Sequence, residues 1–90
     1  MAELNVDLVS ADRKIWSGTA QQVSAPAADG EIGILADHSP LLSVLREGQV
    51  RIKGGQGSAP VEVHVTGGFI SVDSNHVTIV ADSVESVPSR

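Results

Sequence analysis

Asp37, His38 and Ser39 stand in succession and supply the three residue types of a nucleophilic triad. A histidine with an unperturbed pKa of about 6.5 would suit proton transfer near neutrality. Their adjacency argues against that chemistry. A triad needs its base to bridge nucleophile and orienting acid in space, whereas side chains of consecutive residues diverge along a loop. The three are therefore expected to form a loop that caps the segment after them. His38, His64 and His76 contain no His-x-His or His-x-x-x-His pair that would bring two imidazoles onto one metal, and read as three independent histidines. Lys53-Gly54-Gly55-Gln56-Gly57-Ser58 is rich in glycine, but a phosphate loop ends in Gly-Lys followed by Ser or Thr and opens a helix. It reads as a hairpin loop. The carboxylates are dispersed from Glu3 to Glu85, with no pair spaced for acid and base work. No catalytic, cofactor-binding or metal-ligating residue is expected, and no cofactor.

Composition narrows the function classes further. Six Lys and Arg against eleven Asp and Glu leave a net charge of −5. The cations Arg13, Lys14, Arg46, Arg51, Lys53 and Arg90 never occur more than two together, and only Trp16 and Phe69 could stack on bases. Nucleic acid and direct insertion into lipid are not expected. Without cysteine there is no disulfide framework and no thiolate chemistry. Met1 to Ser10 carries Glu3 and Asp7 and does not read as a signal peptide, and no apolar run approaches the roughly 18 residues of a membrane helix. A soluble, cytoplasmic chain is expected. Ninety residues suffice for one domain, since a second core would need about 50 more.

The elements that must position these residues read as strands. Thirteen Val and six Ile outnumber six Leu, and β-branched side chains pack well on a pleated surface. Period two recurs. Leu4, Val6 and Leu8 alternate with Asn5 and Asp7; Val50 and Ile52 with Gln49, Arg51 and Lys53; Val61, Val63 and Val65 with Glu62, His64 and Thr66; Val77, Ile79 and Ala81 with His76, Thr78 and Val80. Ile70 and Val72 follow Gly67-Gly68. Asp29-Gly30, Lys53 to Ser58 and Asp73-Ser74-Asn75 supply hairpin turns. Seven or more short strands with no long helical pattern predict an all-β sandwich or flattened barrel. Pro26, Pro40, Pro60 and Pro88 are expected in loops or at strand starts. Leu41 to Glu47 could be a short helix capped by Ser39-Pro40 and stopped by Gly48, or a buried strand.

An apolar surplus marks Glu31 to Leu45. Ile32, Ile34, Leu35, Leu41, Leu42, Val44 and Leu45 are too many for simple alternation to bury. Either the segment crosses between two sheets, or part of it is an exposed patch awaiting a partner, and the two can coexist. Ile15 and Trp16 raise the same question, since neighbours on a strand face opposite ways.

Three separated blocks, Gly30-Glu31-Ile32-Gly33-Ile34-Leu35-Ala36-Asp37-His38-Ser39-Pro40-Leu41-Leu42, Gly48-Gln49-Val50-Arg51-Ile52 and Gly67-Gly68-Phe69-Ile70-Ser71-Val72, occur in one order. Together with Val9-Ser10-Ala11, Ser17-Gly18 and Asn75 to Asp82, they make a sequence that resembles the epsilon subunit of F-type ATP synthase over about residues 4 to 84. The resemblance implies a flattened ten-stranded β-sandwich over residues 1–84 with a polar tail at 85–90 that frays. It implies a non-catalytic rotor part of the central stalk, bound to the gamma subunit and the c-subunit ring, peripheral on the cytoplasmic face of a bacterial membrane, coupling proton-driven rotation to ATP synthesis. The loop Pro26 to Gly33, with Glu31 at its tip and Asp29, Gly30 and Ile32 beside it, would meet the c ring. His38, Ser39, Pro40, Leu41 and Leu42 would lie on or beside the gamma-facing side. Members of the family commonly continue into a helical hairpin that restrains ATP hydrolysis and in some binds ATP; the sequence stops at Ser89-Arg90, so neither property is assigned to it. The competing expectation is a stand-alone β-sandwich module for a small ligand or carbohydrate, against which 2% aromatic content counts.

Overall fold

The computed structural model describes residues 3–10, 13–54, 60–82 and 84–86. Among them every regular element is a strand: β1 Leu4–Ser10, β2 Lys14–Ala20, β3 Gln22–Ala27, β4 Gly30–Leu35, β5 Leu41–Leu45, β6 Gly48–Lys53, β7 Val61–Val65, β8 Gly68–Asp73, β9 His76–Ala81 and β10 Val84–Ser86. The expected all-β architecture is therefore present. The alternation also falls as expected, with Leu4, Val6 and Leu8, Val50 and Ile52, Val63 and Val65, Ile70 and Val72, and Val77, Ile79 and Ala81 all buried.

The ten strands form one continuous sheet in the order β10-β7-β6-β3-β5-β8-β9-β1-β2, with β4 paired to β3 off that path. Its two halves meet at a narrow junction, the single pair Ala27↔Leu45 between β3 and β5. The sheet curls there, so that inward-facing side chains of both halves merge into one cluster. Leu4, Leu8, Ile70 and Ile79 come from one half and Val23, Ile34, Ile52 and Val65 from the other. No polar or charged side chain among the described residues is buried. The core is dry, and its stability rests on apolar area.

Connections are short. The β8–β9 hairpin turns through Ser74 and Asn75, at φ 51° and 64°, the two positive values a type I′ turn requires. The β3–β4 hairpin turns through Ala28 and Asp29, and Gly30 follows at φ 131°. β1 runs antiparallel to β2 and parallel to β9, with Asn5 opposite His76 and Ser10 opposite Ala81.

Four readings of the sequence are corrected or resolved here. Pro26 lies inside β3, not in a loop. Proline removes a ladder donor, and it is accommodated because on one side β3 has left β6 after Ser24↔Arg51 and reaches β5 only at Ala27. Its carbonyl stays in use, accepting the Arg46 N–H at 2.9 Å. The segment after Pro40 is strand β5, not a helix, because it pairs with β8 from Leu41↔Val72 to Leu45↔Gly68. The sheet extends past residue 84, since Glu85 and Ser86 pair with His64 and Val63. Ile15 and Trp16 are both half-buried and packed on the core. The indole lies over Gly18, where a Cβ would come within 3.0 Å of the ring. The expectations for Ala11, residues 55–59 of the glycine-rich loop, Pro88 and the rest of the tail fall outside the described residues. No described helix is long and apolar enough to cross a membrane.

Candidate interaction surfaces

The apolar surplus between Glu31 and Leu45 divides between core and surface. Ile34 and Leu45 are buried, and Ile32 and Leu41 pack against the core. Leu35, Leu42 and Val44 are instead 58%, 74% and 62% exposed. β5 explains two of these. Its inward positions are Leu41, Ser43 and Leu45, which leaves Leu42 and Val44 on the outer face. Val44 stands opposite Phe69 of β8, itself 48% exposed. Phe69 in turn stands opposite Val80 of β9, and Val80 opposite Val9 of β1, both half-buried. An apolar row thus crosses four strands on the outside of one half of the sheet. Leu42, Ser43, Val44 and Phe69 line a shallow recess of about 310 Å³ on it. Surface leucines are ordinary singly, whereas a contiguous row is a feature of interaction sites.

At one end of this face lies the loop that enters β5. Leu35 to His38 form a turn, closed by the His38 N–H on the Leu35 carbonyl at 3.2 Å. Its second central residue, Asp37, is held at φ 66°. Asn75, in the β8–β9 turn, bonds it twice: the Asp37 N–H donates to Asn75 Oδ1 at 2.6 Å, and Asn75 Nδ2 donates to Asp37 Oδ1 at 3.3 Å. The Asn75 carbonyl accepts the Asn5 N–H at 2.8 Å. His38 Nδ1 lies 2.7 Å from the Ser39 carbonyl. Asp37 is thus bonded to Asn75, while the His38 ring meets the backbone carbonyl of its neighbour Ser39. Of the residues expected to face gamma, Ser39, Pro40 and Leu42 are exposed, while His38 and Leu41 are half-buried.

The residues expected at the c ring are gathered on the β3–β4 hairpin, but not as a loop with Glu31 at its tip. Ala28 and Asp29 form the tip, and Glu31 lies within β4 opposite Pro26. Asp29 and Glu31 are exposed, Gly30 is half-buried, and Ile32 turns to the core. Two carboxylates thus project at or beside the tip. The strand pairing that moved Glu31 was hidden by Pro26, which reads as a loop residue.

The histidines lie apart. His64 Nε2 is 3.2 Å from Glu47 Oε2, and His76 Nε2 is 2.8 Å from Asp7 Oδ2, which also lies 3.8 Å from Lys14. Among the described residues no group of His, Asp and Glu could hold a metal ion. The other half of the sheet is polar outside: Gln22, Ser24, Arg51, Lys53, Pro60 and Glu62 line a recess of about 310 Å³, across which Arg51 Nε donates to Glu62 Oε2 at 2.9 Å. Val44 was visible in the sequence only as part of the surplus. Phe69 was missed, although its phase against Ile70 and Val72 puts it outside.

The chain is similar to known proteins in both sequence and fold. Residues 3–87 match the family model described as the ATP synthase delta/epsilon chain, beta-sandwich domain. The chain is 51% identical over 83 residues to the ATP synthase epsilon chain of Micrococcus luteus, covering 92% of this chain and 90% of that one. It is 44% identical over 80 residues to ATP synthase epsilon chain 1 of Methylococcus capsulatus, covering 89% of this chain and 56% of that one. Among solved structures, a chain of the Euglena gracilis mitochondrial ATP synthase (OSCP/F1/c-ring) superposes with a TM-score of 0.87 at 22% identity, over 96% of this chain and 54% of that chain. A chain of the Tetrahymena thermophila mitochondrial ATP synthase central stalk and c ring gives 0.78 at 16% identity, over 94% and 67%. The structural likeness carries the fold, and the sequence identity carries the family: this chain belongs to the ATP synthase epsilon chains, as their β-sandwich domain.

Proposed function

We propose that this chain is a non-catalytic rotor subunit of a proton-translocating F-type ATP synthase, seated in the central stalk between the gamma subunit and the c ring on the cytoplasmic face of a bacterial membrane. The observation that carries the reading is the outward apolar row through Val44, Phe69 and Val80, with Leu42 beside it. In a chain of this family such a row suits burial against gamma, with His38, Ser39, Pro40 and Leu41 at its margin. The β3–β4 hairpin, presenting Asp29, Gly30 and Glu31 with Ile32 behind them, suits the polar loops of the ring. A charged tip there governs docking geometry more than affinity. Torque needs a stiff coupling, and a close-packed core enclosed by one continuous sheet with short turns resists shear. The relatives are epsilon chains, and the structural neighbours come from assemblies described as F1/c-ring and central stalk/c-ring, which supports this placement.

The test is size-exclusion chromatography with light scattering on this chain mixed with gamma from the same source. A one-to-one complex is expected. Two separate, folded species would overturn the gamma assignment for this chain.

A further inference from the structure

We infer that the Asp37–Asn75 pair is a positioning clasp for the gamma-docking face: it sets the loop 36–40 in its docking conformation without itself touching the partner. The inference rests on the proposed gamma site and concerns how that site is held ready.

Three observations carry it. First, Asp37 holds a left-handed backbone position. At φ 66°, as the second central residue of a turn closed by His38 on Leu35, it stands where a type II turn asks for glycine or asparagine. Aspartate adopts that region more readily than most residues but still at a cost, which its surroundings must offset. Second, those surroundings are a two-point contact from a residue far away in sequence. Asn75 accepts the Asp37 N–H at 2.6 Å and donates to its carboxylate at 3.3 Å, and is itself fixed by the type I′ turn at φ 64° and by Asn5 on its carbonyl. Third, the clasp sits at the end of the ladder that bears the apolar face. β5 and β8 begin pairing at Leu41↔Val72; just beyond, the chain before β5 is the loop 36–40 and the chain after β8 is the turn 74–75. The clasp joins these two across the open end.

His38, Ser39 and Pro40 have no strand partners of their own. Their placement beside Leu42 follows from the turn on one side and β5 on the other. With the clasp intact the loop is ordered before binding; without it the ordering is charged to the binding step. The complementarity is specific, one amide facing one carboxylate, so exchanging the two groups should preserve it. Replacing only one should not, because Asn75→Asp sets two carboxylates against each other and removes the donor.

The experiment measures gamma binding by titration calorimetry for the wild type, Asn75→Asp, the exchange double variant Asp37→Asn/Asn75→Asp, and Leu42→Asp as a control on the face itself. Thermal unfolding of each runs in parallel. Asn75→Asp is expected to weaken binding by about tenfold and the double variant to return it to within about threefold of wild type, while Leu42→Asp weakens it independently. Unfolding separates the two causes: the clasp predicts weaker binding by an Asn75→Asp variant that is still folded at the titration temperature, and a loss that merely tracks the unfolded fraction would overturn it. If Asn75→Asp fails to fold, Asn75→Gly removes both side-chain bonds and keeps the left-handed φ, and about tenfold weaker binding is again expected. Wild-type affinity in Asn75→Asp or Asn75→Gly, or a loss the double variant does not rescue, with Leu42→Asp still weakened, would overturn the clasp and leave the docking face standing. No effect of Leu42→Asp would overturn the docking face, and the clasp with it.

Discussion

Two glycines separate backbone strain from lack of room. Gly68 has φ 133°, and a Cβ there would overlap the Val80 carbonyl oxygen and lie 2.9 Å from Ala81 Cα. Gly30 has a similar φ of 131°, but nothing lies within 4 Å of its Cβ position. Gly30→Ala should therefore cost only the strain, about 1–2 kcal/mol. Gly68→Ala must also push β8 from β9, at a cost of at least about 3 kcal/mol. Urea unfolding of both variants checks this, and equal losses would mean that the strand gap opens easily. Leu42 offers the opposite case, a large side chain with little to lose. At 74% exposure its replacement by Asp should change stability by less than about 0.5 kcal/mol, read from the urea midpoint. On the proposed face the same change should weaken gamma binding by about 2 kcal/mol, roughly thirtyfold.

At the scale of elements, strands with one wet face were legible and strands with special neighbours were not. β6, β7 and β9 alternate cleanly because one side meets the core and the other meets water. The turn at Ser74-Asn75 was legible from residues that tolerate positive φ. β3 was obscured by Pro26, whose missing donor falls where one ladder has ended and the next has not begun, a long-range fact. β5 was ambiguous because Leu42 and Val44 carry apolar side chains outward, which erases period two. That erasure was itself the signal of a surface, and Phe69 shares it. The c-ring candidates were legible as a group on one hairpin, though not as a loop with Glu31 at its apex. Glu31→Lys, on the exposed side of β4, should alter unfolding free energy by less than about 0.5 kcal/mol. It should lower ATP-driven proton pumping by the reassembled complex in vesicles; unchanged pumping would remove Glu31 from the ring contact. Arg51→Ala should likewise cost under about 1 kcal/mol in urea unfolding, because its 2.9 Å pair with Glu62 is solvent-exposed.

Across the whole molecule, the outside of the β5–β8–β9–β1 half is apolar along its central row, and the outside of the β6–β3 half is polar and carries the Arg51 and Lys53 pair. Between them lies a core with no buried polar group among the described residues, so nothing but packing sets the spacing of the two faces. Ile70→Ala should cost about 2–5 kcal/mol and be visible in thermal unfolding. For a domain of this size that is a large share of the total stability.

The parallel ladder of β1 on β9 has a further consequence, for the order of events in the cell. Asn5 is made well before His76 and must await it, and Ser10 must await Ala81. While β2 can fold back on β1 at once, the other side of β1 stays an open edge until the ribosome has released the chain from β2 through β9. Closing so long a loop against entropy is slow, and refolding of the isolated chain should occupy the millisecond-to-second range typical of non-local β topologies. During synthesis the unpaired β1–β2 ribbon is the segment most in need of shielding, and a nascent chain halted before β9 should be the one that chaperones capture.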